Sequence, residues 1–160
     1  MFQRRVLFVA AVAALVSACA SVPAPVSVAD TLTATPSLST FNGLVVKAGL
    51  APSLQGSGPF TVFAPTNEAF KAVPQKTMDA LAKDPVLLKE VLTYHMLPVK
   101  LVAADVKTSA VKTLNGASLA LGKAGEFVTV EEAMVQTADL AATNGVIHSV
   151  DRVMLPPKKK

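Results

Sequence analysis

The chain has 160 residues, enough for one domain, and 51% of them are apolar, so a proper core can be buried. Its net charge of +4 overstates its basicity, because Arg4, Arg5 and Lys158 to Lys160 sit at the two ends; without those five, ten basic side chains face eleven acidic ones. A near-neutral body with no Trp and one Tyr lacks both the basic face and the stacking platforms of a nucleic-acid binder.

Met1 to Arg5 is short and basic, and Val6 to Val16 is an unbroken apolar run too short to cross a bilayer. Residues 1–18 therefore have the pattern of an export signal. Two endings compete. Val16-Ser17-Ala18-Cys19 resembles a bacterial lipobox, which makes Cys19 a lipidation site and places a membrane beside the mature chain; Ala18-Cys19-Ala20 also fits ordinary cleavage and leaves no anchor. A lone cysteine here has no disulfide partner. Residues 19–36, rich in Ser, Thr, Ala and Pro, read as a flexible tether.

A domain over residues 37–157 follows, then the basic tail Lys158-Lys159-Lys160, whose default is a solvated end. Ser37 can cap a helix in which Leu38, Phe41, Val45 and Ala48 share a face until Gly49. Phe60 to Ala64 alternates as a strand, Pro65 stops it, and Thr66 caps a helix bearing Glu68 and Phe70. Thr77 to Lys83 is a short helix. Asp84-Pro85 opens another, with Leu88, Val91, Leu92 and His95 on one face, and it ends before Pro98.

Beyond Leu101 the period becomes two. Val111 to Leu114 and Ala117 to Leu121 flank Asn115-Gly116, a favoured hairpin pair, and Phe127 to Val130 returns as a strand. Met134 to Thr137 is a further strand, and Asn144-Gly145 turns the chain into Val146 to Val150, with a last strand to about Leu155. Helices early and strands late predict an α+β fold in a single domain.

Three segments, TVFAPTNEAF at Thr61 to Phe70, LTYH at Leu92 to His95, and ATNGVIHSVDRVMLPP at Ala142 to Pro157, resemble in content and order the motifs of the fasciclin domain family. The similarity runs from about Leu38 to Pro157. It implies a compact β-sandwich with several helices packed against it. It also implies recognition: in animal matrix proteins of the family the Tyr-His motif and an Asp-Ile pair have been implicated in integrin binding. Those positions correspond here to Tyr94-His95, with Leu92 and Leu97 nearby, and to Asp139-Leu140. Leu140 replaces Ile, and Val99 stands where many relatives have Gly.

His95 and His148 lack a third donor at metal-ligand spacing, so no metal or other cofactor is expected. His148 shares a strand face with Val146 and Val150 and reads as a buried ring bonded to backbone; His95, at a helix end, can cap carbonyls. Ser149 and Ser118 have no nucleophile elbow or recognisable base, so an enzyme is not expected. Asn67 reads as an amide bound to turn backbone. The sequence therefore predicts an exported, lipid-anchored binding or adhesion module of the bacterial cell envelope, with a protein or surface glycan as partner. The alternative is an apolar-ligand carrier or hydrolase using a pocket near His95.

Overall fold

The structure, a computed structural model, describes residues 26–157; the export signal, Cys19 and the Lys158 to Lys160 tail lie outside the described residues. Within the segment expected to be a flexible tether, the chain instead forms helix α1 (Val28–Ala34). Ser27 and Asp30 close a reciprocal capping box at its start, and Val28, Ala29 and Leu32 are buried on one face. A helix this short is marginal alone. Docking of that face into the helical layer stabilises it, so the tether expectation is corrected from Val28 onward.

A 3-10 turn (Pro36–Leu38) leads into α2 (Ser39–Lys47), which carries Phe41 and Val45 inward, and then α3 (Ala51–Leu54). Strand β1 (Phe60–Pro65) is followed by α4 (Asn67–Lys71), where the Thr66 hydroxyl accepts the Ala69 amide at 3.3 Å. Helix α5 (Gln75–Lys83) precedes α6 (Pro85–Tyr94), whose start is fixed by the Asp84 carboxylate accepting the Val86 and Leu87 amides at 2.9 and 3.1 Å. The remaining strands are β2 (Met96–Leu97), β3 (Ser109–Lys112), β4 (Ser118–Ala124), β5 (Phe127–Val130), β6 (Ala133–Ala142) and β7 (Gly145–Val150).

Among the described residues seven strands lie in the order β2-β1-β7-β6-β5-β4-β3. The β3–β4 hairpin turns around Asn115-Gly116, but over three residues rather than two, since the Thr113 amide donates to the Ala117 carbonyl at 2.9 Å; Gly116 has φ +86° and Asn115 Oδ1 accepts the Ala117 amide at 2.8 Å. No strand runs to Leu155. The last bond to β6 runs from the Asp151 amide to the Met134 carbonyl at 3.1 Å; the Asp151 carboxylate then takes the Met134 amide at 2.7 Å, and the Met154 amide turns inward to a histidine ring, which ends the pairing. Strand β1 pairs in parallel with β7, from Phe60 opposite Gly145 to Pro65 opposite Val150, which makes the first and last sequence motifs direct neighbours.

The sheet bends back on itself. Leu114 donates its amide to the Met96 carbonyl at 2.9 Å, joining the two ends of the strand order. Phe63 and Val150 from one half therefore meet Leu119, Leu121, Val128 and Val130 from the other in one core. On the opposite face of β1 and β7, Val62, Ala64 and Ile147 pack under the helices with Phe41, Leu88 and Leu92. Both strands are covered on both faces, which explains their nearly continuous apolar character. The result is the expected α+β domain with a folded sheet and a helical layer.

Candidate functional site

His95 is 1% exposed at the end of α6. Its Nδ1–H donates to the Val91 carbonyl at 2.7 Å, closing the helix, and its Nε2 accepts the Met154 amide at 3.1 Å. A cation there would be favoured by the helix dipole, but burial dominates: the ring's pKa is pushed down to about 4 against the pull of the Val91 carbonyl. His95 is thus a neutral ring joining the helix end to the final segment. Phe41 lies against it, with centroids 6.0 Å apart.

Tyr94 is buried beside it and donates its hydroxyl to Glu131 at 3.1 Å, with the Ser118 carbonyl at 3.4 Å. Burial first, and then the Glu131 charge and hydrogen bond, raise the phenol's pKa to about 12, so it stays protonated. Glu131 was not foreseen. It occupies a left-handed turn residue (φ +54°) between strands, and its carboxylate also takes the Ala120 amide at 2.8 Å; no local pattern marks such a role.

His148, also 1% exposed, uses the opposite tautomer: Nε2–H donates to the Leu101 carbonyl at 2.7 Å, while Nδ1 accepts the Asp139 amide at 3.2 Å. Its pKa is lowered by burial, opposed by the Leu101 bond and the Asp139 charge. Phe63, its partner across the β1–β7 register, stacks on it at 5.4 Å.

The four residues assigned by resemblance therefore separate. Tyr94 and His95 are buried at one helix end. Asp139 and Leu140 lie on β6, where the pairing with β7 shifts between Thr137 and Leu140; Asp139 is exposed with φ +57°, and Leu140 is half-buried. The Asp139 carboxylate accepts the Ala103 amide at 2.8 Å. Among the described residues no group of three or more His, Cys, Asp or Glu is placed to hold a metal ion, and no helix is long and apolar enough to cross a membrane.

Two asparagines tie distant segments. Asn67 accepts the Thr40 amide at 3.0 Å and donates to the Pro36 carbonyl at 3.0 Å, so it binds turn backbone far away in sequence. Asn144 accepts the Val28 amide at 2.8 Å and donates to the Leu54 and Gly56 carbonyls, each at 2.7 Å.

Two grooves flank the segment Arg152 to Leu155. One, of about 280 Å³, is lined by Tyr94, Glu131, Glu132 and Met154; the other, of about 300 Å³, by Ala69, Ala72, Val73 and Pro74. His95 lines neither.

Fold and motifs define a small α+β module whose sequence signatures lie on the paired strands β1 and β7 and at the end of α6. The family model described as Fasciclin domain matches residues 36–156, and the chain belongs to that family. It is 44% identical over 121 residues to Protein sll1483 of Synechocystis sp., covering 74% of this chain and 67% of that one. It is 35% identical over 123 residues to transforming growth factor-beta-induced protein ig-h3 of Sus scrofa, covering 76% of this chain but 18% of that one. Human periostin is 33% identical over 136 residues, 84% of this chain and 16% of periostin. The chain thus spans less than a fifth of either animal relative. Among solved structures, a FAS1 domain pair from the insect cell adhesion molecule fasciclin I matches with a TM-score of 0.66 at 17% identity, covering 81% of this chain and 51% of that one, a likeness of fold.

Proposed function

We propose that the chain is an exported recognition module of the bacterial cell envelope, tethered by lipid at Cys19, that binds a protein or a surface glycan. In this reading the exposed Asp139 and its neighbour Leu140 contribute to contact, while Tyr94 and His95 hold the surface in shape from within. The observation that carries it is the use of both histidines: each spends its two ring nitrogens on backbone groups, which leaves neither free to act as a base or ligand. Family membership supports it too, since the insect protein fasciclin I, whose solved domains share this fold, is a cell adhesion molecule.

A carrier or hydrolase centred on His95 has less support, because the ring is enclosed and lines neither groove beside Arg152. The test uses the full chain expressed in a bacterial host. Cys19→Ala is expected to move it from the membrane fraction to the soluble one. Asp139→Ala with Leu140→Ala is expected to abolish retention of envelope components while circular dichroism stays unchanged. Undiminished retention by that folded double variant, or ester hydrolysis that His95→Asn removes, would overturn the proposal.

A further inference from the structure

Between β2 and β3 the chain runs from Pro98 to Thr108 without a strand or helix. Side chains from elsewhere pin it. The Thr61 hydroxyl donates to the Val99 carbonyl at 2.6 Å and accepts the Leu101 amide at 2.8 Å. His148 holds the Leu101 carbonyl, Asp139 holds the Ala103 amide, and the Lys123 ammonium donates to the Ala103 and Ala104 carbonyls at 3.0 and 2.9 Å. The loop's own backbone adds the Asp105-to-Val102 turn. Two of these pins converge: His148 grips the loop through Nε2 and the Asp139 turn through Nδ1, and Asp139 in turn grips the loop.

We propose that His148 is a proton-operated latch: a second proton on its ring frees the loop around Leu101 to Ala103 and the Asp139 turn while the rest of the sheet stays folded. The chemistry is one of donors and acceptors. Nδ1 now offers a lone pair to the Asp139 amide, and a proton there would set two N–H groups facing each other across 3.2 Å. The charge that attracts the imidazolium is the Asp139 carboxylate, whose Oδ1 already holds the Ala103 amide, so the new charge pulls on the group that pins the loop.

The charged groups around the ring are few. Strand β6 presents Asp139, the loop carries Lys100 and Asp105, and β4 sends Lys123 to the loop carbonyls. Strand β1 places Phe63 opposite His148 and has no titratable residue from Phe60 to Pro65. Asp139 is therefore the charge that favours the protonated ring, and burial is what opposes it, so opening belongs to acid conditions. Because Asp139-Leu140 is the contact surface proposed above, recognition should weaken in acid; that consequence rests on the earlier reading, whereas the latch does not.

Amide hydrogen exchange on the full chain, corrected for intrinsic rates, tests the latch between about pH 7.5 and about pH 5, a range above the value near 4 that burial gives His95. Protection of the Ala103 and Asp139 amides is expected to fall by about tenfold or more beyond any fall at Phe63 and Ile147, which report the stability of the whole fold. Asp139→Asn keeps an oxygen for the Ala103 amide but removes the charge, and is expected to move the opening to lower pH. His148→Asn is expected to abolish the step. Constant protection at Ala103 and Asp139, loss only together with Phe63 and Ile147, or an unshifted opening in Asp139→Asn overturns the latch. Opening with envelope retention unchanged in acid leaves the latch standing and overturns the assignment of Asp139 as a contact.

Discussion

Asn144 offers the sharpest test of how this fold is tied together. Its amide group serves three partners from segments far apart in sequence: the Val28 amide at the start of α1, and the Leu54 and Gly56 carbonyls ahead of β1. Asn144→Ala removes three hydrogen bonds at a net value of about 1 kcal/mol each, an expected loss of about 3 kcal/mol. Asn144→Asp is nearly isosteric and keeps the oxygen for Val28, yet it turns a two-handed donor into an anion aimed at two carbonyl oxygens. It should cost more than alanine, about 4 kcal/mol, a large share of the 5 to 15 kcal/mol typical of a domain.

The two variants also part company with pH. In Asn144→Asp the folded state favours the protonated carboxyl, which can donate to one carbonyl, so its folded pKa lies above the unfolded value of about 3.9. The bond it makes is fully present below the unfolded value and lost as pH rises through the folded one; the aspartate variant's deficit against wild type therefore shrinks in acid, whereas alanine's does not. Urea denaturation followed by circular dichroism measures this in a chain without tryptophan. An aspartate variant as stable as alanine at neutral pH, or a deficit that grows on acidification, would refute the assigned donor role.

Other expectations follow from the same geometry. His95 is held neutral with a pKa near 4 against an ordinary value of about 6.5, so its contribution is complete above the unfolded value and is lost as pH falls; at pH 5 the loss is about 2 kcal/mol, readable as a lower urea midpoint. A midpoint that does not move between pH 7.5 and 5 would contradict this. Phe63→Ala, which removes a fully buried ring stacked on His148, should cost about 3 to 5 kcal/mol in the same assay. Gly43→Ala places a methyl with nothing within 4 Å in the middle of α2 and should stabilise by about 0.5 to 1 kcal/mol. Gly58→Ala should instead prevent proper folding, because φ is +44° and the added carbon would strike the Asn144 carbonyl oxygen; soluble yield and melting temperature report both changes.

Elements announced by local chemistry were legible in the sequence. Asp84-Pro85, Thr66 and Asn115-Gly116 mark their helix starts and turn because a single side chain or a positive φ decides the geometry. His95 as a carbonyl cap and His148 as a backbone-bonded core ring were readable from helix position and strand alternation. What stayed hidden depends on partners distant in sequence. Helix α1 is started by the Ser27–Asp30 pair, but its apolar face is only Val28, Ala29 and Leu32, too small to signal without the layer that receives it. Strand β6 runs the whole way from Ala133 to Ala142, yet its alternation is broken by two register shifts, so only its first part stood out. Tyr94 was chosen by resemblance, while the Glu131 that satisfies it is set by a turn no local pattern reveals.

The docked α1 ties the start of the described chain to the head of the last strand. The Val26 carbonyl accepts the Thr143 amide at 2.9 Å just ahead of β7, so whatever precedes Val26 leaves the molecule at this pole. The Arg152 to Leu155 grooves follow the far end of the same strand, about 20 Å away, so they stand at the opposite pole, clear of anything joined ahead of Val26.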